Sequence, residues 1–477
     1  MLFTLLSVVC SGLLLPAQAE RILGITVFTR HGDRTSKHYS GYGLTNLGLQ
    51  QNYQVGSNYR SIYISSNSSK QILGISEDKV INSQIYASAP DQPVLLNTAT
   101  AFLQGLYPPL ENLEPGLASE TLNNGSSYTS PLNGYQYVVL HGEEDDSPDA
   151  VWLKGDEDCP AVTTSAKNFK QSAEFVEREK ATRTFYQSLY DYIGGVYDYD
   201  FSDMSYNNAY DIFDLLNVAS IHNASSAGNV YLPSERLFQL RTLADSAEFA
   251  LNYNSSDSAR SIGGQTFAGA VLNQMSQMLA TNGNLKFSLL AGSYDTFLAF
   301  FGLANLTSAS SDFYGLPDYA STMAFELFTE ETVDVFPTAF NDIRVRFLFR
   351  NGSDEGAPLR TFPLFGRSED SLSWVDFTSE MNNIAITSAQ DWCSVCQSNL
   401  LFCLAYSAQM ASSQNHGNSS SMSNTVAGVI GAMVTLGVIA SLGLAAFFVL
   451  RRRRGAVTHI NHVANDKSSQ YSGNETA

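Results

Sequence analysis

Two arginines flank a histidine near the beginning of the chain, where Arg30 and Arg34 enclose His31 and Gly32. Arginine presents a planar fork of donors that matches phosphate oxygens, and glycine lets the backbone approach a ligand closely. An imidazole between two cations is biased towards its neutral form, which is the nucleophilic one. The pattern therefore predicts a phosphate site in which His31 attacks phosphorus. A surface loop with two solvated arginines is the alternative that the spacing by itself leaves open.

Two apolar runs must position this chemistry. The first, residues 22–28, predicts a strand that ends at the histidine motif. The second, residues 287–292, ends just before Tyr294 and Asp295. Because ligands of open α/β sheets bind beyond the carboxyl ends of the strands, we expect both turns to face one site.

Several blocks that follow the motif in order resemble the histidine acid phosphatase family of the phosphoglycerate mutase-like superfamily. They are residues 44–51 for the first helix, 85–87 and 102–109 for the second unit, and 287–296 for the third. The resemblance implies an α/β fold with a mostly parallel sheet flanked by helices. It also implies an inserted, largely helical cap at about residues 111–270, which would form one wall of the pocket and set substrate choice.

The resemblance also assigns roles. Arg30 and Arg34 would hold the phosphoryl oxygens, His31 would be the nucleophile, and Asp295 would protonate the leaving group. An active enzyme of this kind hydrolyses a phosphomonoester through a phosphohistidine. No glycine-rich nucleotide loop and no cluster of metal ligands is visible in the sequence, so we expect neither a cofactor nor a metal.

Two departures make the chain a divergent member. The family's phosphate-binding arginine of the second unit aligns with Val94, and the histidine of its His-Asp pair aligns with Tyr294. Each charge-assisted hydrogen bond to a phosphoryl group contributes about 1.5 to 3 kcal/mol, and losing one preorganised donor lowers turnover by about 10² to 10³. We therefore expect weakened catalysis. Lys37 or His38 would supply a replacement cation if the loop folds back, and would otherwise be surface residues.

Three functions stay open on this evidence. The first is a phosphomonoesterase with weakened catalysis. The second is a catalytically degenerate homologue that serves as a surface ligand-binding or interaction protein. The third is a pocket that accepts a different, less charged small ligand, since Val94 and Tyr294 replace two cationic positions.

The ends of the chain predict a single-pass membrane protein. Residues 1–19 read as a secretory signal peptide with a small-x-small cleavage site. Residues 426–450 carry no charge and are long enough to span a bilayer, and the arginines of 451–454 would stay cytosolic. The topology is then type I: a domain over 20–404 in the extracellular space or a vacuolar lumen, a Ser/Asn-rich stalk over 405–425, and a basic cytosolic tail over 451–477. Small-residue pairs within the span would let two copies form a homodimer.

Charge, cysteines and glycosylation sequons agree with export. The net charge of −19 makes nucleic acid an unsuitable partner and favours a small monoester over a polyphosphorylated substrate. Four cysteines follow the signal peptide, which predicts two disulfides with three connectivities open. The N-x-S/T sites that precede the span are at Asn67, Asn124, Asn223, Asn254, Asn305, Asn351 and Asn418.

Overall fold

The computed structural model describes residues 20–194, 197–222 and 232–414. The predicted signal peptide, the span over 426–450 and the tail lie outside this part of the chain. The described residues as far as Tyr406 form one compact unit. Within the described ranges, no helix is long and apolar enough to cross a membrane. The beginning of the predicted stalk continues a helix, Leu401–Gln414.

One large sheet runs through the molecule, and a small hairpin lies outside it. The strands are β1 Arg21–Arg30, β2 Ile85–Pro90, β3 Ser119–Thr121, β4 Ser127–Thr129, β5 His141–Glu143, β6 Phe287–Gly292, β7 Thr322–Thr329, β8 Ile343–Arg350, β9 Arg360–Thr361 and β10 Leu372–Ser373. The order in the sheet is β10-β8-β7-β1-β6-β2-β5, with β9 paired to β8 and with β3 and β4 forming the hairpin. Strands β1, β6, β2 and β5 are parallel to one another, and β7, β8, β9 and β10 extend the sheet by antiparallel pairing.

Helices cover both faces of this sheet. The α-helices of the described residues are α1 Asn46–Tyr59, α2 Pro93–Leu106, α3 Pro115–Ala118, α4 Pro131–Gly134, α5 Pro160–Lys170, α6 Ala173–Gln187, α7 Tyr190–Ile193, α8 Ala209–His222, α9 Ser234–Asn252, α10 Ile262–Ala280, α11 Tyr294–Leu303, α12 Trp374–Ile384, α13 Ala389–Cys396 and α14 Leu401–Gln414. The segment between α2 and β6 is largely helical and also contributes strand β5 to one edge of the sheet. The predicted α/β fold is confirmed.

The apolar run of β1 is continuous because each face of the strand is buried against a different layer. Val27 lies in the same buried cluster as Phe102 of α2. Its neighbour Phe28 points to the other face, where its ring centroid is 4.7 Å from that of Phe267 in α10. A strand covered on both sides cannot show the polar alternation of a surface strand, so residues 22–28 read as one apolar run.

One disulfide links the last helices to the rest of the domain, and a second joins those helices to each other. Cys159, which precedes α5, is bonded to Cys396 at the end of α13, and Cys393 is bonded to Cys403 in α14. The prediction of two disulfides is confirmed, and the structure selects one of the three connectivities. Both bonds lie in a small buried cluster around Trp392.

Candidate active site

The predicted turns meet at one edge of the sheet. In the parallel register of β1 and β6, Arg30 lies beside Gly292, so the residues that follow the two strands are neighbours. Strand β2 runs parallel to β6 and ends at Pro90, just before α2 begins at Pro93. The carboxyl ends of three parallel strands therefore bring His31, Val94 and Asp295 towards one place, as the sequence predicted.

His31 is held in the form that a nucleophile needs. Its side chain is 1 % exposed, and its Nδ1 lies 2.9 Å from the carbonyl oxygen of Gly32. A carbonyl can only accept, so Nδ1 carries the proton, and Nε2 has no hydrogen-bond partner among the described residues. Burial, helped by the charges of Arg30, Arg34 and Lys37, holds the pKa of His31 well below its ordinary value. The imidazole is therefore neutral, with the lone pair on Nε2.

The glycine of the motif approaches a helix. A Cβ on Gly32 would lie 2.3 Å from the carbonyl oxygen of Gly48 in α1. The next residue, Asp33, is fully buried, and one of its carboxylate oxygens accepts hydrogen bonds from the Thr45 hydroxyl and from His222, the latter at 2.7 Å. The sequence predicted that Gly32 lets the backbone approach a ligand. In the structure Gly32 lets the loop approach helix α1, and this contact fixes the position of His31.

Arg34 makes protein contacts with most of its donors. It is fully buried and forms an ion pair of 2.9 Å with Asp214 in α8. Its guanidinium also donates to the Tyr210 hydroxyl at 3.0 Å and to the carbonyl oxygen of Thr35 at 3.0 Å. The sequence predicts a phosphate ligand for this arginine, and among the described residues its charged partner is the carboxylate of Asp214.

Arg30 lies between two aromatic rings. Its guanidinium carbon is 4.8 Å from the ring centroid of Tyr319 and 5.4 Å from that of Tyr294, and it donates to the carbonyl oxygen of Pro317. Its Nε has no partner among the described residues. Arg30 thus lies next to His31, and part of its guanidinium group has no hydrogen-bond partner among the described residues.

A small cavity lies against His31. Of the predicted site residues, His31, Val94 and Asp295 line it, and so does Lys37. We call it the His31 cavity. Lys37 belongs to the loop that follows the motif, so this loop folds back towards His31. This arrangement is one of the two alternatives that the sequence leaves open for Lys37. His38 turns the other way, with its Nδ1 2.9 Å from Asp211 in α8, and does not line the cavity.

Tyr294 lies beside the cavity and has a protein partner. Its hydroxyl donates a hydrogen bond of 2.9 Å to Glu248 in α9, and its ring centroid lies 4.7 Å from that of Tyr210. Burial and the nearby Asp295 raise the pKa of Glu248 to about 7, although the hydrogen bond from Tyr294 acts in the opposite direction. The Tyr294 hydroxyl, which the sequence predicts to be a neutral hydrogen-bond donor, thus donates to Glu248.

Sequence reasoning missed three cavity residues that follow Leu153. Lys154, Asp156 and Glu157 line the His31 cavity together with His31 and Lys37. Lys154 lies 2.9 Å from Asp145 and 2.5 Å from Glu157, so its charge is shared between two carboxylates. Burial and the neighbouring Asp295 and Glu157 raise the pKa of Asp156 to about 8. Nothing in the local sequence signals these positions, because more than a hundred residues separate them from the motif.

This arrangement has the groups that proton transfer and nucleophilic attack require. His31 offers a lone pair, Asp295 and Asp156 offer carboxyl groups, and Lys37 offers a cation. Among the residues that the structure describes, no group of three or more His, Cys, Asp or Glu side chains is placed to hold a metal ion.

Comparison with solved structures identifies the class of fold. The phytase of Klebsiella sp ASR1 superimposes with a TM-score of 0.53 at 12% identity, covering 78% of this chain and 96% of that chain. The Hafnia alvei phytase in complex with myo-inositol hexakis sulphate gives 0.53 at 12% identity, with 78% and 98% covered. At this identity the likeness shows the fold alone.

The sequence profile of the histidine phosphatase superfamily (branch 2) matches residues 36–350. The chain belongs to this family, as the resemblance predicted. It is 25% identical over 398 residues to the lysosomal acid phosphatase of Xenopus laevis, covering 80% of each chain. It is 24% identical over 333 residues to the prostatic acid phosphatase of Mus musculus, covering 66% of this chain and 77% of the relative. The matched range begins just after the Arg30 to Thr35 segment.

Proposed function

We propose that the protein is a histidine-acid-phosphatase-type phosphomonoester hydrolase that acts through a phosphohistidine on His31, with weakened catalysis. One observation carries the proposal. His31 is buried and neutral, its Nε2 has no hydrogen-bond partner among the described residues, and its ring lines a cavity together with Lys37 and Asp295. Membership of the family and similarity to acid phosphatases support the same reaction.

The mechanism follows from these groups. Nε2 of His31 attacks phosphorus and the bond from phosphorus to the ester oxygen breaks, while Asp295 gives its proton to the leaving oxygen. Water then attacks the phosphohistidine, the P–N bond breaks, and the carboxylate recovers the proton. Arg30 and Lys37 would stabilise the negative charge on the phosphoryl oxygens.

We attribute the weakened catalysis to side chains that are bonded to other residues of the protein or that lack a hydrogen-bond donor. Arg34 is paired with Asp214, Tyr294 is bonded to Glu248, and Val94 offers no donor. Three carboxyl groups, Asp156, Glu157 and Asp295, line the same small cavity. If ionised, each repels a phosphate dianion.

A mutant series with an activated aryl phosphate tests this function at mildly acidic pH. We expect His31→Ala to lower the rate of the full-length protein at least about 10³-fold, since it removes the nucleophile. His38→Ala is the matched control and should change little, because His38 pairs with Asp211 and does not line the cavity. Val94→Arg with Tyr294→His should raise the rate about tenfold or more. A rate unaffected by His31→Ala would contradict the proposal.

The three cavity carboxyl groups favour a second candidate, a degenerate homologue that binds a less charged small ligand. It predicts no turnover in the original or the restored protein, together with no binding of inorganic phosphate. Isothermal titration with phosphate separates the two, since an enzyme of the first kind must bind its product.

We further propose that the hydrolase is a type I membrane glycoprotein that faces the extracellular space or a vacuolar lumen. This rests on the uncharged segment 426–450 with the following arginines and on the signal-like residues 1–19. Association of two spans would make a homodimer. Relatives named as lysosomal acid phosphatases support entry into the secretory pathway.

A further inference from the structure

A second and larger cavity lies beside the His31 cavity. It measures about 780 Å³ and opens where β5 forms the edge of the sheet, against helices α10 and α12. Leu153 lines both cavities, so the two are neighbours. The proposed hydrolysis uses no residue of this second cavity. We call it the Glu143 cavity after the last residue of β5.

Glu143 is a buried carboxyl group without a complete set of partners. It is 8 % exposed and lines the cavity. Its Oε1 accepts a hydrogen bond from the Ser88 hydroxyl, whereas Oε2 has no partner among the described residues. A buried, unsatisfied carboxylate oxygen costs free energy. A ligand that donates to Oε2 would recover that free energy.

The charge of the lining decides what kind of donor fits. Glu144 and Asp149 stand with Glu143 in the wall, and no lysine or arginine is among the described residues that line this cavity. Burial, with the nearby Asp149, raises the pKa of Glu143 to about 7. A cation bound at Oε2 would favour the ionised form of this carboxyl.

Aromatic side chains form part of the same wall. The rings of Tyr86 and His141 are stacked, with centroids 5.3 Å apart and planes 19° from parallel. Trp152 also lines the cavity. Aromatic faces attract organic cations through the ring quadrupole, most strongly for tryptophan. They also give apolar contact to the carbon skeleton of a ligand.

We propose that the Glu143 cavity binds a small organic cation, a primary amine or guanidinium on an apolar or aromatic body. Its charged group donates to Oε2 of Glu143, and its body packs on Trp152 and the Tyr86 ring. Glu144 and Asp149 attract the cation at the mouth. This site is separate from the hydrolytic one and does not depend on whether His31 is active.

Titration of the full-length protein at pH 8 tests the proposal, with phenethylamine, agmatine and spermidine as probes. We expect saturable binding of at least one probe, reported by tryptophan fluorescence and by calorimetry. Phenylacetate and 2-phenylethanol, which lack the cation, should bind at least tenfold more weakly. Trp152→Phe should remove most of the fluorescence change while leaving calorimetric binding measurable.

Two variants locate the site. Glu143→Gln keeps the shape and an acceptor for Ser88 but loses the charge, so we expect at least a tenfold loss of affinity. Glu120→Gln, on the exposed hairpin strand β3, is the matched control and should leave affinity unchanged. If Glu143→Gln does not fold, the exposed pair Glu144→Gln with Asp149→Asn should weaken binding several-fold. Absence of binding by all three amines, equal binding by phenylacetate, or unchanged affinity in these variants would overturn the proposal.

Discussion

At the scale of single residues, the acidity of the His31 cavity distinguishes this site. Asp156, Glu157 and Asp295 line a cavity that also holds Lys37 and Lys154. Carboxyl groups that line one small cavity disfavour one another's ionisation. The effect is large at Asp156, where burial and the neighbouring Asp295 and Glu157 raise the pKa to about 8.

We expect Asp156→Asn to change how stability depends on pH. Between about pH 4, the ordinary pKa of the unfolded aspartate, and pH 8 the folded protein holds a proton that the unfolded chain has lost. The free energy of unfolding of the original protein therefore falls as the pH rises through this window. Asparagine resembles the protonated acid, so the variant should be more stable than the original protein at pH 8 and nearly equal to it at pH 4.

Chemical denaturation at several pH values measures this effect. Asp146→Asn, at an exposed acidic position of the same segment, is the control and should leave the pH profile unchanged. An Asp156→Asn profile parallel to that of the original protein would mean that this carboxyl is ionised when folded.

At the scale of elements, helix α8 fixes the loop that follows the motif. Asp214 forms an ion pair with Arg34 and accepts hydrogen bonds from the Ser36 hydroxyl at 2.8 Å and the Lys37 backbone N–H at 2.9 Å. One carboxylate thus holds three successive parts of the loop. It also determines where Lys37 enters the His31 cavity.

Removing that carboxylate should be costly. Asp214 is 3 % exposed, and Asp214→Ala leaves the Arg34 charge buried without its partner, which costs about 3–5 kcal/mol of folding stability. Asp211→Ala on the same helix is the control, since Asp211 is 35 % exposed and its pair with His38 contributes about 1 kcal/mol or less. Urea unfolding of both variants checks the difference. Equal losses would show that the buried pair of Asp214 with Arg34 is not the main contact that holds the loop.

The sequence predicts this site unevenly, for physical reasons. The strand before His31 follows from a local apolar run, and the place of Asp295 follows from the family resemblance together with the rule that ligands bind beyond strand ends. The partner of Arg34 cannot be predicted in this way, because Asp214 is 180 residues away in a separate helix. Asp156 is likewise brought to the cavity only by tertiary packing. The residue patterns that predict strands and helices are local in the sequence. The partner that neutralises a buried charge can come from any part of the chain, so local patterns do not predict it.

At the scale of the whole molecule, topology stays a prediction from the sequence. If 1–19 and 426–450 act as predicted, enzymatic deglycosylation should increase the gel mobility of the expressed protein. Protease added outside sealed cells, or inside permeabilised vacuolar vesicles, should remove the domain that precedes the span. Asn474→Gln, at a sequon predicted to be cytosolic, should not change mobility. An unglycosylated product that resists protease on both sides would contradict a type I topology.

The bond between Cys159 and Cys396 has a consequence for biosynthesis. Cys159 follows the cavity residues Asp156 and Glu157 almost directly, yet its partner lies 237 residues later. The disulfide that attaches this part of the cavity wall to α13 can therefore form only after nearly the whole domain has been synthesised. A nascent chain that ends before α13 would contain the His31 motif and the cavity residues Asp156 and Glu157, but Cys159 would lack its disulfide partner. Completion of the site is thus tied to completion of the polypeptide.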